Sequence, residues 1–202
     1  MVEQLDFTKP YILEDNCVLL QPLTLENSIE LLHFALNEPE IWKYSLVPMD
    51  GEENFLKYIH QAIEGRNAGN MYAFIVFDKQ TKQFAGCTRF YDIQLAFKTL
   101  QLGYTWYGKN FQGTGLNKRC KFLLLQFAFE TLEIERVEFR ADNNNVKSIA
   151  AMKSIGCTVE GVLRSHLPIH PNGRRDSIIL SILRDEWHGH VKQNLLHKIN
   201  NM

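Results

Sequence analysis

Apolar and polar positions change period along the chain, and the changes mark out a β-α-α-β-β-β-α-β-α-β-β-α order. Residues 1–16 show no period and read as an irregular arm. Val18 to Leu23 is a short apolar run with Asn16 and Pro22 at its margins, a strand pattern. Thr24 can cap the next segment, where Ile29, Leu32 and Leu36 fall at helical spacing, so 25–37 is expected as an amphipathic helix. Asn37 to Gly51 holds two prolines and reads as a loop; Phe55, Ile59 and Ile63 mark a second helix, ending near Gly69. The pattern changes at Met71. Tyr72–Phe77, Phe84–Ile93 and Leu100–Tyr107 are three β-favouring runs with short connectors, which suggests an antiparallel meander.

A Gly-containing loop, Gly108 to Gly115, leads into a long helix reaching about Leu132, apolar nearly all round and so buried on more than one side. Arg136 to Ala141 alternates, with Val137, Phe139 and Ala141 on one face and Arg136, Glu138 and Arg140 on the other. Asn145–Ile155 reads as a helix closed by Gly156. Thr158–Arg164 and Ser177–Leu183 are two further strands around Pro171-Asn172-Gly173, a hairpin signal. Trp187, Val191, Leu195 and Ile199 mark a final helix over 184–199. A meander followed by a strand–helix–strand crossover predicts an α/β domain: a mixed, mostly antiparallel sheet with helices on both faces. No linker divides it, so 1–202 is one domain, with residues 1–16 as its arm and 184–202 as its C-terminal helix.

Composition narrows the function. With 202 residues the chain should bury roughly 70% of its unfolded surface, so it needs no disulfide or metal to hold a core. Aromatic residues at 11% argue against disorder. A formal net charge of −1 argues against a nucleic-acid coat. No apolar run is long enough for a membrane span, and the acidic N-terminus is unlike a signal peptide. Cys17, Cys87, Cys120 and Cys157 form no C-x-x-C pair and fit free thiols of a cytoplasmic protein better than disulfides. The histidines form no metal-ligand spacing, so no metal is expected. Neither nucleic acid nor membrane is therefore an expected partner.

The chemistry concentrates where a strand ends, a glycine loop follows and a helix begins: Tyr104-Thr105-Trp106-Tyr107-Gly108-Lys109-Asn110-Phe111-Gln112-Gly113-Thr114-Gly115-Leu116-Asn117. The first N–H groups of a helix lack internal partners and carry positive potential, and glycines let a phosphate approach the backbone. Lys118, Arg119 and Lys121 follow in the first turns, where cations oppose the helix dipole unless an anion binds. Neither G-x-x-x-x-G-K-[ST] nor G-x-G-x-x-G is present, which removes a nucleoside-triphosphate enzyme from consideration.

Gln112-x-x-Gly115-x-Asn117 resembles the pyrophosphate loop of the GNAT acyltransferases, Q/R-x-x-G-x-G/A. Leu102-Gly103-Tyr104, Asn145-x-x-Ser148, Gly156 and Glu160-Gly161-Val162-Leu163-Arg164 further resemble the Rim-type branch, the protein N-terminal acetyltransferases and their relatives. The resemblance covers about residues 17–185. It implies a sheet splayed between its fourth and fifth strands, acetyl-CoA as co-substrate, and an amine acceptor on a small molecule or a protein N-terminus. A homodimer is open.

The resemblance places CoA against Thr105, Trp106, Tyr107, Gln112, Gly113, Thr114, Gly115, Leu116, Asn117, Lys118, Asn145 and Ser148. It gives Ser148 the departing thiolate, with helix packing as the alternative. Gln101 stands where several Rim-type members carry a glutamate base, and Met152 where many GNAT enzymes place a tyrosine acid. Glu138, beside the splay, is the candidate base, or equally a cross-strand partner of its neighbouring arginines. Trp42, Tyr44, Arg89, His166 and Arg174 are candidate acceptor-lining residues, against ordinary packing or surface ion pairs. With Gln101 and Met152 in those positions, a CoA-binding sensor or interaction module on the same fold is the competing expectation.

Overall fold

The computed structural model describes residues 5–169 and 173–202. Eight strands form one sheet: β1 (Leu13–Glu14), β2 (Val18–Pro22), β3 (Met71–Asp78), β4 (Gln83–Gln94), β5 (Thr99–Tyr107), β6 (Arg136–Asp142), β7 (Thr158–Pro168) and β8 (Arg174–Leu183). Their spatial order is β1-β2-β3-β4-β5-β6-β8-β7, and every neighbouring pair is antiparallel except β5 and β6. The expected mixed, mostly antiparallel α/β sheet is present. β3 is buried almost throughout, as its unbroken apolar run requires of a strand covered on both faces. β6 buries Val137, Phe139 and Ala141 and leaves the alternate charged positions half-buried, as its two-residue period dictates.

Helical segments cover both faces: α1 (Leu25–Ser28) and α2 (Leu32–Asn37), α3 (Gly51–Asn67), α4 (Leu116–Gln126), α5 (Val146–Ser154), α6 (Arg184–Glu186) and α7 (Lys192–Asn200). Thr24 caps α1 in a reciprocal box with Asn27, worth about 1 kcal/mol. The helix expected over 25–37 is broken by a 3-10 turn at Ile29–Leu31. The break rotates the following residues, so Leu31, Phe34 and Ala35 face the core while Ile29 and Leu36 face solvent, contrary to the expected stripe. The N-terminal arm is also more ordered than expected. Glu14 and Leu13 pair with β2, the Tyr11 N–H donates to the Tyr72 hydroxyl at 3.0 Å, and that hydroxyl donates to the Lys9 carbonyl at 2.7 Å. The strands β7 and β8 run longer than expected. Their pairing continues to Pro168↔Arg174, and the Ile169 N–H donates to the Gly173 carbonyl. Most of the expected Pro171-Asn172-Gly173 turn lies outside the described residues.

Two of the three long helical stretches contain one widened turn. α4 continues through a π-helical turn, Phe127–Thr131, and the C-terminal helix carries another at Trp187–Val191. The two turns meet: the fully buried Trp187 ring stacks on Phe129 at 5.7 Å, and its Nε1 donates to Glu130 at 2.8 Å. This ties the C-terminal segment to the back of α4. Trp187→Ala should lower unfolding free energy by about 3–5 kcal/mol. A urea-unfolding difference under about 1 kcal/mol would detach this contact from the core.

Candidate active site

The cleft arises from two irregularities in the sheet. β5 pairs with β6 across Thr99–Gln101 and Arg136–Glu138 alone, and then the strands part. This is the expected splay between the fourth and fifth of the strands anticipated from sequence, here β5 and β6. Against β4, an extra residue sits on β5 between Gly103 and Trp106, and Tyr104 adopts φ +48°. Such a bulge bends a strand and increases its local twist, which carries β5 away from β6. The Arg89 guanidinium packs against the rings of both Tyr58 and Tyr104, 4.1 and 4.2 Å from their centroids, in the corner that the two tilted rings make. The gap is a cleft of about 1120 Å³.

One wall is the Gly loop. Gln112 Nε2 donates to the Tyr107 carbonyl at 2.7 Å, and Thr114 Oγ1 donates to the Phe111 carbonyl at 2.9 Å, so side chains fix the loop. Gly115, at φ +92°, starts α4 without any side-chain cap. Gly113, at φ +80°, has open space where a Cβ would lie. A helix start with no side-chain cap from Gly115, beside the open space at Gly113, suits a pyrophosphate; the Leu116 N–H reaches Thr114 Oγ1 at 3.4 Å and the Met202 side chain lies against Gly115. Among the residues expected on CoA, Thr105, Trp106, Tyr107, Gln112, Gly113, Gly115, Asn117, Lys118, Asn145 and Ser148 line the cleft. Thr114 and Leu116 do not line it: the Thr114 side chain is turned to the loop backbone, and Leu116 is buried in the core.

The basic run around this loop is largely spoken for. Lys109 pairs with Glu40, and Arg119 with Asp15 at 3.0 Å. Lys121 points into the protein, where its Nζ donates to Thr105 Oγ1 at 2.7 Å and Thr88 Oγ1 at 3.2 Å. Burial pushes its pKa down to about 8, and the nearby Cys120, Cys157 and Cys87 thiols oppose that shift. Lys109, Lys118 and Lys121 all line the cleft, Lys118 without a carboxylate partner among the described residues, and Lys147 joins them, bridging from α5 to Gln112 Oε1. The wall opposite is α5. Asn145 caps it by accepting the Ser148 N–H at 3.0 Å, and Ser148 and Met152 line the cleft.

The acceptor end differs more from expectation. Trp42 and Tyr44 line the cleft. Arg89 does not: it is fully buried behind Tyr58 and Tyr104, and shapes the wall from the rear. Arg174 folds back onto the Ser165 and His166 carbonyls at 2.8 and 3.0 Å. His166 is also outside the lining; burial and the guanidinium groups of Arg140, Arg175 and Arg174 lower its pKa. Glu138 is clamped by Arg136 at 2.8 Å and Arg140 at 2.6 Å, the ion-pair alternative rather than a carboxylate on the cleft. Tyr91, Asp92, Arg140 and Arg175 line this end and were missed. A bulge places Asp92 there, and local spacing carries no signal for it. Arg140 was legible as the polar face of β6. All four cysteines are free thiols, and no His, Cys, Asp and Glu cluster that could hold a metal occurs among the described residues. No described helix is long and apolar enough to cross a membrane.

Residues 18–158 match the family model for an acetyltransferase (GNAT) domain. Over 105 residues the chain is 33% identical to a Bacillus subtilis (strain 168) protein bearing the name ribosomal N-acetyltransferase YdaF; the match covers 52% of this chain and 56% of that one. The chain thus spans about half the length of that curated relative. An acetyltransferase structure from T. thermophilus is 30% identical, with 94% of this chain and 97% of that one covered and a TM-score of 0.79. The microcin C7 self-immunity acetyltransferase MccE, solved with acetyl-CoA and AMP, is 26% identical, covering 84% and 93%, with a TM-score of 0.74.

Gly115→Leu should weaken acetyl-CoA binding by at least about 10-fold in calorimetry, while the left-handed backbone costs about 1–2 kcal/mol of stability. Unchanged affinity would move the pyrophosphate elsewhere. Lys121 has a lowered pKa in the folded state, so the unfolded chain binds the extra proton between about pH 8 and 10.5, and the burial cost is full below that window and lost above it. Lys121→Met should therefore stabilise the protein by up to about 3 kcal/mol at pH 7. That advantage over the parent should shrink toward zero by about pH 10.5, read as the difference between paired urea titrations, which cancels the thiol ionisations common to both proteins.

Proposed function

Because this chain belongs to the GNAT acetyltransferase family and takes its acetyl group from acetyl-CoA, we propose that the acceptor is a primary amine, on a protein N-terminus or a small molecule. The observation that carries this reading is the parting of β5 and β6, which leaves the β6-facing backbone groups beyond Gln101 without ladder partners, beside Ser148. An acyl carbonyl laid along that edge meets a backbone N–H near Thr105 or Trp106 as its oxygen gains charge. The amine must first lose its proton to expose a lone pair. As the nitrogen bonds to the acetyl carbon, the C–S bond breaks. The Ser148 hydroxyl is the proton or hydrogen-bond donor for the thiolate. Holding donor and acceptor together supplies much of the rate. An α-amine, with a pKa near 8, is deprotonated more readily than a lysine side chain. The name of the Bacillus subtilis relative adds support for a protein N-terminus.

A second reading follows from one observation: Gln101 and the cleft-lining Met152 occupy the places of the family's usual base and acid, respectively, which suits a CoA-binding sensor. CoA release, assayed against N-terminal peptides, polyamines and aminoglycosides, separates the two. Turnover on one class names the acceptor. Tight acetyl-CoA binding with no turnover favours the sensor. Ser148→Ala should lower kcat by about 10-fold or more and leave acetyl-CoA affinity within about 2-fold. An unchanged kcat would remove Ser148 from the reaction.

A further inference from the structure

The glutamate missing at position 101 has a neighbouring substitute. A second bulge, on β4 between Tyr91 and Gln94, sets Asp92 at φ +46° and swings its carboxylate across to β5. There Gln101 Nε2 donates to Asp92 Oδ2 at 2.7 Å, and Gln94 Nε2 donates to Oδ1 at 3.1 Å. Gln101 itself is buried, and its Oε1 is without a hydrogen-bond partner, a state that normally costs about 1–3 kcal/mol and is seldom kept without use. Both residues line the cleft at its acceptor end, beside the last paired rung of β5 and β6.

The other carboxylates near this cleft are occupied. Glu138 is held by Arg136 and Arg140, Glu40 by Lys109, and Asp142 accepts the Asn144 N–H at 2.8 Å and faces Arg175. Asp92 has amide donors and, among the described residues, no cationic partner, which leaves it to attract a cation from solution. Tyr91, Tyr104, Arg140 and Arg175 are the other ionisable groups around this face.

We propose that Asp92 is the general base of the reaction, with Gln101 as the residue that positions it. The inference rests on the amine-acetylation reading above. The acceptor ammonium passes a proton to the free Asp92 oxygen lone pair, directly or through one water. The released nitrogen lone pair bonds to the acetyl carbon, and the C–S bond breaks. As the C–S bond breaks, the Ser148 hydroxyl gives its proton to the thiolate and recovers one, directly or through water, from the second proton of the acylated nitrogen, which leaves the neutral amide; Asp92 returns its proton to solvent. Gln101 thereby keeps the amide, and Asp92 the charge, of a pair in which the family's glutamate would hold both position and charge.

The test is CoA release with an accepted amine. Asp92→Asn preserves size and tolerates the left-handed backbone. It should lower kcat about 100-fold at neutral pH, leave acetyl-CoA affinity unchanged, and lose less as pH approaches the amine's own pKa, where free amine forms unaided. The double variant Asp92→Asn with Gln101→Glu exchanges the amide and the carboxylate, and should recover kcat to within about 10-fold of the parent. Parent turnover with an equally active Asp92→Asn protein at every pH overturns this inference alone. So does an Asp92→Asn defect confined to KM, or one that the exchange fails to recover. A parent protein that binds acetyl-CoA but acetylates no amine overturns the functional reading, and this inference with it.

Discussion

The structure depends on one arginine buried against two tyrosines. Arg89 is fully buried and makes no ion pair among the described residues; its charge is accommodated by the π faces of Tyr58 and Tyr104. Its Nη1 reaches Met71 Sδ at 3.0 Å, while Nε and Nη2 have no hydrogen-bond partner. Such a group is tolerable when the rings that flank it cannot move apart. One of those rings, Tyr104, is at a positive φ, on the stretch where the extra residue of β5 sits. The bulge parts β5 from β6, and the parting makes the cleft. The opening of the cleft and the burial of this cation therefore meet at the same residue, Tyr104.

Charge in the cleft is arranged by removal as much as by placement. The acid-free basic run at 109–121 suggests a dense positive patch, yet Lys109 and Arg119 are matched by Glu40 and Asp15, and Lys121 is withdrawn beneath the sheet. The phosphate end is left with the uncapped start of α4, Lys118, and Lys147 from the opposite wall. Lys147 lies across the cleft from the loop it touches, so it couples the two walls where they are otherwise held apart. At the far end the arginines pair with Glu138, while the bulged Asp92 accepts amide N–H groups and has no cationic partner among the described residues. The result is a cleft with cations at its glycine-loop end and, at the other end, a carboxylate without a cationic partner among the described residues.

Lys121 belongs to a small polar knot inside the core. Thr88 and Thr105 share a hydrogen bond at 2.7 Å, and the lysine reaches both. Thr105 lies on the bulged stretch of β5, so the knot pins from beneath the strand edge that would receive the acyl group. The cost of burying the amine is visible in its lowered pKa. That cost is consistent with a group retained for position rather than for stability.

Much of the architecture was legible from period alone. The two-residue alternation of β6, the apolar run of β3, the Thr24 and Asn145 caps and the glycine loop are local features, and each formed as its pattern requires. The glycine loop and the helix start it leads into were legible for the same reason, since backbone N–H groups and glycines are set by consecutive residues. The acceptor end was not. Arg89 reads as a polar residue on a strand, and whether it faces a cleft or two tyrosines depends on α3 arriving from well upstream in the chain. Glu138 and Asp92 are both acids on strands, and their fates diverge through pairing with β4, β5 and β6. The inward face of 25–37 shifted because a single 3-10 turn re-phases everything after it. The sequence by itself determined the elements, their order and the phosphate loop, because these follow from neighbours along the chain. The tertiary structure decided which charged side chains remain available, because a bulge or a distant ring sets that, and neither leaves a local mark.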